Sequence, residues 1–329
     1  MTTLRVLPVV LLPSLLAAQV LTPPASGAAV SAYVRRVFED RSGELWLGTN
    51  DEGVAHWDGK VLAWLDARHG FAGSAVRGIS QSADGAMWFA TDRGVIRWQD
   101  GVHTQYTTKN GLPDDDCWSL FADRAGTLWV GTRRGLCRMV GTRFVPLPLP
   151  PAVDPVREAR FGPEVVFAIA QDRDGHLWFG TDGDGVRRWD GEHFTAYTKK
   201  DGLGGDGVRC LCVDHQGKIW VGSDGGGLSC FDGTTWRTWT SKDGLGNDRI
   251  YTLAEARDGA LWISTLGAGV SRWDGGKFTQ LRETAGRTQN HVQSILQARD
   301  GTLWFGFSGG LYRLAGDQLV HVTRDGPWR

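Results

Sequence analysis

One octapeptide, Asp174-Gly175-His176-Leu177-Trp178-Phe179-Gly180-Thr181, returns in recognisable form six more times, and its period constrains the fold more than any other feature of the chain. The tryptophans at its centre are Trp46, Trp88, Trp129, Trp178, Trp220, Trp262 and Trp304, separated by 42, 41, 49, 42, 42 and 42 residues. A fixed period of this length marks a repeat architecture in which one period is one structural unit. Three residues before every anchor stands a glycine (Gly43, Gly85, Gly126, Gly175, Gly217, Gly259, Gly301). Two residues after it stands a small residue (Gly48, Ala90, Gly131, Gly180, Gly222, Ser264, Gly306). What every copy keeps is a requirement of the unit itself.

The stretch from 250 to 281 shows how one unit is built. Apolar positions alternate in Ile250-Tyr251-Thr252-Leu253, a turn follows at Arg257-Asp258-Gly259, and residues 260–265 form a second apolar run. Leu266-Gly267-Ala268-Gly269 turns again, Val270-Ser271-Arg272-Trp273 is a third short strand, and Asp274-Gly275 is a hairpin signal before a fourth at 277–281. The second strand is almost wholly apolar, as in Ile219-Trp220-Val221-Gly222, so both its faces are expected to be buried. Sheets standing radially, each sandwiched between two neighbours, meet that requirement. The reading is all-β: a seven-bladed β-propeller with four antiparallel strands per blade.

The repeats are expected to form a single domain over residues 31–325, with blades at about 33–74, 75–115, 116–163, 164–206, 207–248, 249–290 and 291–325. Each blade begins with its inner strand and ends with its outer one. The ring then closes by packing of blade 7 on blade 1, unless residues 28–32 add a strand. The irregular joint runs from Pro146 to Pro163, where seven extra residues and five prolines (Pro146, Pro148, Pro150, Pro151, Pro155) come before Phe161-Gly162-Pro163; an ordered loop or lid is expected there. Residues 1–28 read as a signal peptide and linker: Arg5 precedes a short apolar run over 6–18, too short to span a membrane, and small residues follow. A periplasmic or secreted monomer is the corresponding expectation. The net charge of −1 gives no electrostatic case for nucleic acid. The five cysteines (Cys117, Cys137, Cys210, Cys212, Cys230) form neither a zinc pattern nor a disulfide framework and are expected to be buried free thiols.

The motif Asp-Gly-x-Leu-Trp-x-Gly-Thr, followed by Gly-Val or Gly-Leu, then Arg-Trp-Asp-Gly, an aromatic strand and Lys-Asp-Gly-Leu, resembles the two-component regulator propeller repeats. Blades 4, 5 and 6 match it best, as at Asp201-Gly202-Leu203 and Asp243-Gly244-Leu245. Blades 1, 3 and 7 depart from it, with Ala125 for the turn Asp, Phe307 for the Thr, and no Asp-Gly-Leu after any of the three. The resemblance implies an exported ligand-sensing propeller, like the sensor regions of hybrid histidine kinases, and a separate membrane histidine kinase or other exported protein as partner.

Function is sought where the copies disagree. Eleven residues before the anchors stand Arg35, Arg77, Trp118, Phe167, Arg209, Tyr251 and Gln293, large and varied between flanking positions that are apolar or small. At the mouth of the central channel, arginines would bind a carboxylate or sulfate and aromatic rings would stack on a sugar, so a carbohydrate or other anionic small ligand is expected. The loops Asn50-Asp51-Glu52-Gly53, Asp182-Gly183-Asp184-Gly185 and Asp224-Gly225-Gly226-Gly227 add carboxylates at the same end, where Ca²⁺ is the conceivable ion; no other cofactor or metal is expected. No nucleophile, base and orienting acid come together among the eight histidines, so a binding protein is favoured over an enzyme. His103, His193 and His321 fall on outer strands, His176 and His215 in turns at the opposite end, His56 on a third strand, and only His69 and His291 approach the candidate face. The alternatives are a protein-interaction platform using Trp64, Trp236 and Trp239, and a metal-dependent propeller hydrolase or lyase, the latter similar to the streptogramin-cleaving enzymes.

Overall fold

The second strand of every blade is buried along its whole length, and the architecture follows from that. The computed structural model describes residues 27–152, 159–281 and 291–328; the expected signal peptide lies outside them up to residue 26. Seven separate four-stranded antiparallel sheets follow one another along the chain, each pairing its strands in sequence order. Blade 1 comprises Val34–Glu39, Leu45–Thr49, Val54–Trp57 and Leu62–Leu65. The inner strands of blades 2 to 7 are Val76–Gln81, Cys117–Ala122, Val166–Gln171, Val208–Val213, Ile250–Glu255 and Val292–Gln297. The chain is thus a seven-bladed β-propeller. No helix among the described residues is long and apolar enough to cross a membrane.

The three constant positions of each blade have distinct physical tasks. The glycine three before each anchor adopts φ between 80° and 96° in the hairpin turn, a region other residues enter only with strain. The small residue two after each anchor is where the next blade comes closest. A Cβ at Gly48 would lie 2.8 Å from the Val76 carbonyl oxygen, and one at Gly222 would lie 2.5 Å from the Ile250 side chain. The anchor indole fills the interior of the blade, and its N–H finds an acceptor six residues upstream. Trp46, Trp129, Trp178 and Trp220 donate to Asp40, Asp123, Asp172 and Asp214 at 2.8–2.9 Å, and Trp88 donates to Ser82 Oγ at 2.8 Å. In blades 6 and 7 that position is Ala256 and Ala298, and the buried Nε1 atoms of Trp262 and Trp304 have no partner among the described residues.

Neighbouring blades are also stitched at the turn end. Arg41, Arg124, His215 and Arg257 each donate a backbone N–H to the last inner-strand side chain of the next blade: Gln81, Gln171, Glu255 and Gln297. The ring closes with the same bond, Arg299 N–H to Glu39 Oε2 at 2.9 Å, and Val37 N–H donates to Ser294 Oγ at 3.0 Å. The N-terminal segment adds one antiparallel bridge, Ala29 to Thr323, and buries Val30 against blade 7, so closure is packing plus a short tie rather than a full added strand.

At the other end, short 3₁₀ turns lead from outer strands to the next inner ones at Ala67–His69, Thr108–Asn110, Lys199–Asp201 and Ser241–Asp243. Each ends in a left-handed glycine and buries the residue after it (Phe71, Leu112, Leu203, Leu245). Blade 1 therefore has this connector although its sequence, Arg68-His69-Gly70-Phe71, lacks the Asp-Gly-Leu signature. The outer-strand aromatics are not an exposed platform. Trp239 is buried between Trp220 and Trp273, Trp236 packs on Phe231 and Tyr197, and Trp64 lies half-buried under Arg324.

Candidate functional site

Each inner strand carries one residue more than its partner strand opposes. The pairing skips a residue between Val34 and Arg36, Val76 and Gly78, Cys117 and Ser119, Val166 and Ala168, Val208 and Cys210, Ile250 and Thr252, and Val292 and Ser294. The skipped residues are Arg35, Arg77, Trp118, Phe167, Arg209, Tyr251 and Gln293. A β-bulge re-aims its extra side chain, and here all seven half-buried side chains line one axial cavity of about 780 Å³. The residue before each bulge is buried in the blade, which pins the register. Together the bulges form a collar of seven functional groups supplied by seven blades.

Within the collar, guanidinium groups lie on aromatic faces. Arg77 sits 4.2 Å from the Trp118 ring centre, Arg209 sits 4.4 Å from that of Phe167, and Arg35 sits 5.0 Å from that of Tyr33. Trp118 and Phe167 meet edge to face at 5.0 Å, and Phe161 from the loop between blades 3 and 4 packs against both. Arg77 also pairs with Asp116 and donates to the Cys117 carbonyl at 3.1 Å, yet its buried Nε has no partner. Arg209 pairs with Asp224 at 2.8 Å and approaches Asp182 at 3.8 Å. Arg35 Nε donates to Asn50 Oδ1 at 2.5 Å. Burial lowers the Arg35 pKa, Tyr33 opposes that shift and Arg77 adds to it, but a guanidinium remains cationic at neutral pH. On the other side of the ring Tyr251 and His291 meet edge to face at 5.2 Å, beside Gln293.

The acidic loops at this end serve the arginines. Asp224 binds Arg209 and Arg249, Asp182 accepts the Phe161 backbone N–H at 2.5 Å, and Asp184 forms a buried pair with Arg187. Two groups among the described residues bring three potential metal ligands together: Asp40, Glu44 and His56, and Asp172, Asp174 and His176. None of these six lines the axial cavity. His56 stacks on Trp46 and pairs with Glu44, and His69 pairs with Asp66 on a connector, so of the two histidines expected near the site only His291 lines it. All five cysteines are free thiols, four of them buried, and burial pushes every one up, Cys212 to about 11 and Cys230 to about 12. At neutral pH they are not nucleophilic thiolates.

Sequence reasoning missed Tyr33, Arg36, Arg160 and Phe161, which also line the cavity. Phe161 and Arg160 come from the irregular joint, whose residues 153–158 lie outside the described residues. Arg36 breaks the expectation that the collar's flanking positions are apolar or small, and that departure was its signal.

A family model described as a two component regulator propeller matches six stretches of the chain: 30–51, 111–134, 161–183, 202–225, 244–267 and 286–309. Among solved structures, the chain is similar to the extracellular domain of a hybrid two component system from B. thetaiotaomicron, with TM-score 0.72 and 21% identity over 88% of this chain. It spans 39% of that longer chain. A streptogramin B lyase is similar with TM-score 0.69 and 15% identity, over 88% of this chain and 94% of the lyase. A catalytically inactive virginiamycin B lyase from Staphylococcus aureus, solved with quinupristin, gives 0.65 and 16%, over 85% and 93% of the two chains. At these identities the likeness shows the fold. No curated protein matches the chain.

Proposed function

The chain belongs to the two component regulator propeller repeat family, and from that premise we propose that it is an extracytoplasmic sensor propeller binding an anionic small molecule, foremost an acidic carbohydrate, at the collar of its axial cavity. The observation that carries this reading is the seven bulges, which aim three arginines and three aromatic rings into one cavity. A volume of about 780 Å³ suits a ligand of one or two sugar rings. Each arginine lies over a ring and is tied by a carboxylate or amide oxygen, leaving other N–H donors for a carboxylate or sulfate. The unpartnered Nε of Arg77 is a donor that a ligand oxygen would satisfy. Propellers of this repeat family suggest the readout: the bound state is passed to a separate membrane histidine kinase or another exported protein.

Calorimetric titration with matched panels of uronic-acid, sulfated and neutral oligosaccharides tests the proposal. Acidic ligands should bind, and Arg77→Met or Arg209→Met should weaken them about tenfold to a hundredfold, the loss of one charge-assisted hydrogen bond. Neutral sugars binding as well as acidic ones, or acidic ligands indifferent to both substitutions, would refute it.

A further inference from the structure

Ten residues before the anchor, one past the bulge, six blades carry Gly78, Ser119, Ala168, Cys210, Thr252 and Ser294, and the first carries Arg36. The small residues serve the joints between blades: Ser119 Oγ donates to the Val166 carbonyl at 2.9 Å, and Ser294 Oγ accepts from Val37 N–H. An arginine is too long for that slot. Its side chain instead lines the axial cavity beside Gly78 and is exposed to the lumen. One residue further along, the wall is apolar, made by Leu120, Ile169, Leu211, Leu253 and Ile295. The collar arginines each have a carboxylate or amide partner, whereas among the described residues no hydrogen bond or ion pair holds Arg36. Glu255, the carboxylate that lines the cavity, has both oxygens engaged by His215. The enclosing ring lowers the Arg36 pKa by desolvation with no charged neighbour contributing.

We propose that Arg36 is the centre of a second anion subsite, next to the collar, which takes one small oxyanion or halide, either free in solution or carried as an acidic group of the axial ligand. This rests on the collar reading and adds that the site holds two negative groups. A cation enclosed by a protein ring attracts an anion more strongly than one on an open surface, because the walls lower the effective dielectric.

Wild type, Arg36→Met and Arg36→Lys are dialysed into sodium MOPS buffer and titrated with sodium sulfate or sodium chloride at constant ionic strength. Thermal midpoints are then read. If the subsite takes free anions, wild type shows a saturable rise of about 5 °C at a hundredfold excess over Kd, Arg36→Lys keeps part of it, and Arg36→Met shows none. If it takes the ligand's own group, inorganic anions do nothing, but Arg36→Met weakens a diacidic oligosaccharide at least tenfold while leaving its monoacidic analogue unchanged. Either result supports the proposal. It is overturned if Arg36→Met changes neither response, or if the inorganic-anion effect is lost in Arg77→Met and not in Arg36→Met. Should acidic oligosaccharides still lose affinity in Arg77→Met, the collar reading survives that failure. If Arg77→Met is silent as well, both readings fall.

Discussion

Trp262 and Trp304 bury their indole N–H groups without a partner because alanine stands six residues upstream, where four of the other five anchors have aspartate. Restoring it, as Ala256→Asp or Ala298→Asp, is expected to stabilise the protein. The hairpins are already shaped for the change. Ala256 N–H donates to the Ala260 carbonyl at 2.8 Å and Gly259 N–H to the Ala256 carbonyl at 2.9 Å; in blade 1 the bonds of Asp40 and Gly43 are 3.0 and 3.1 Å. Burial matches too, with Ala256 and Ala298 at 6% and 4% exposed against 5% for Asp40 and 8% for Asp172. In blade 1 the second carboxylate oxygen accepts the Ser42 and Glu44 amides, but in blade 6 Asp258 already accepts from Ala260. The gain therefore comes mainly from the indole bond. A hydrogen bond to a charged acceptor contributes about 1.5–3 kcal/mol, and desolvating the new carboxylate offsets part of it, leaving about 1–2 kcal/mol per site. Differential scanning calorimetry at pH 7 should show a rise of about 2–5 °C for each substitution. In a Trp262→Phe background, which has no N–H to satisfy, Ala256→Asp should give no gain. A gain of equal size in that background, or no gain at either site in the native one, would refute the role assigned to the indole bond.

Two further outcomes are expected. Gly131→Ala places a methyl group against Ser119 Oγ and the Val166 carbonyl of the next blade, so the blade joint must open, at a cost of about 1–3 kcal/mol by chemical denaturation; a neutral result would mean the blades do not pack there as described. In the hairpin turn of blade 5, the Thr235 and Thr234 amides and hydroxyls lower the Asp232 pKa well below its usual 3.8, and Ser82 and Arg97 bring Asp84 to about 2. A carboxyl depressed by folding adds stability that is complete above its unfolded value and is lost as pH falls from about 4 towards 2. Asp232→Asn removes the titration, so its melting temperature should start below that of wild type near pH 7, fall less over this window and converge with it at the acid end.

The collar's location was legible in the sequence because a repeat exposes which positions are free to vary. Positions that pack blades, such as Trp178 and Gly180, are held by the same neighbour in every copy. Arg77, Trp118 and Tyr251 differ because they line the axial cavity instead of filling a joint between blades. Why those residues face the channel was not legible: the bulge that turns them inward leaves no mark beyond a buried residue before each. The pairing of Arg77 with Asp116 across two blades likewise depends on neighbouring blades packing side by side.

By itself the sequence determined the number of blades, the strands in each and the residues that fill the joints, because these are local periodicities repeated until they are unmistakable. Only the tertiary structure decided what the axis contains: that Phe161 arrives from the irregular joint, that the aromatics of the outer strands are covered, and that Arg36, in a slot where the other blades carry a small side chain, stands in the lumen with no ion-pair partner among the described residues. Those facts depend on residues from different blades meeting around one axis. Separation along the chain carries no information about that distance until the ring is closed.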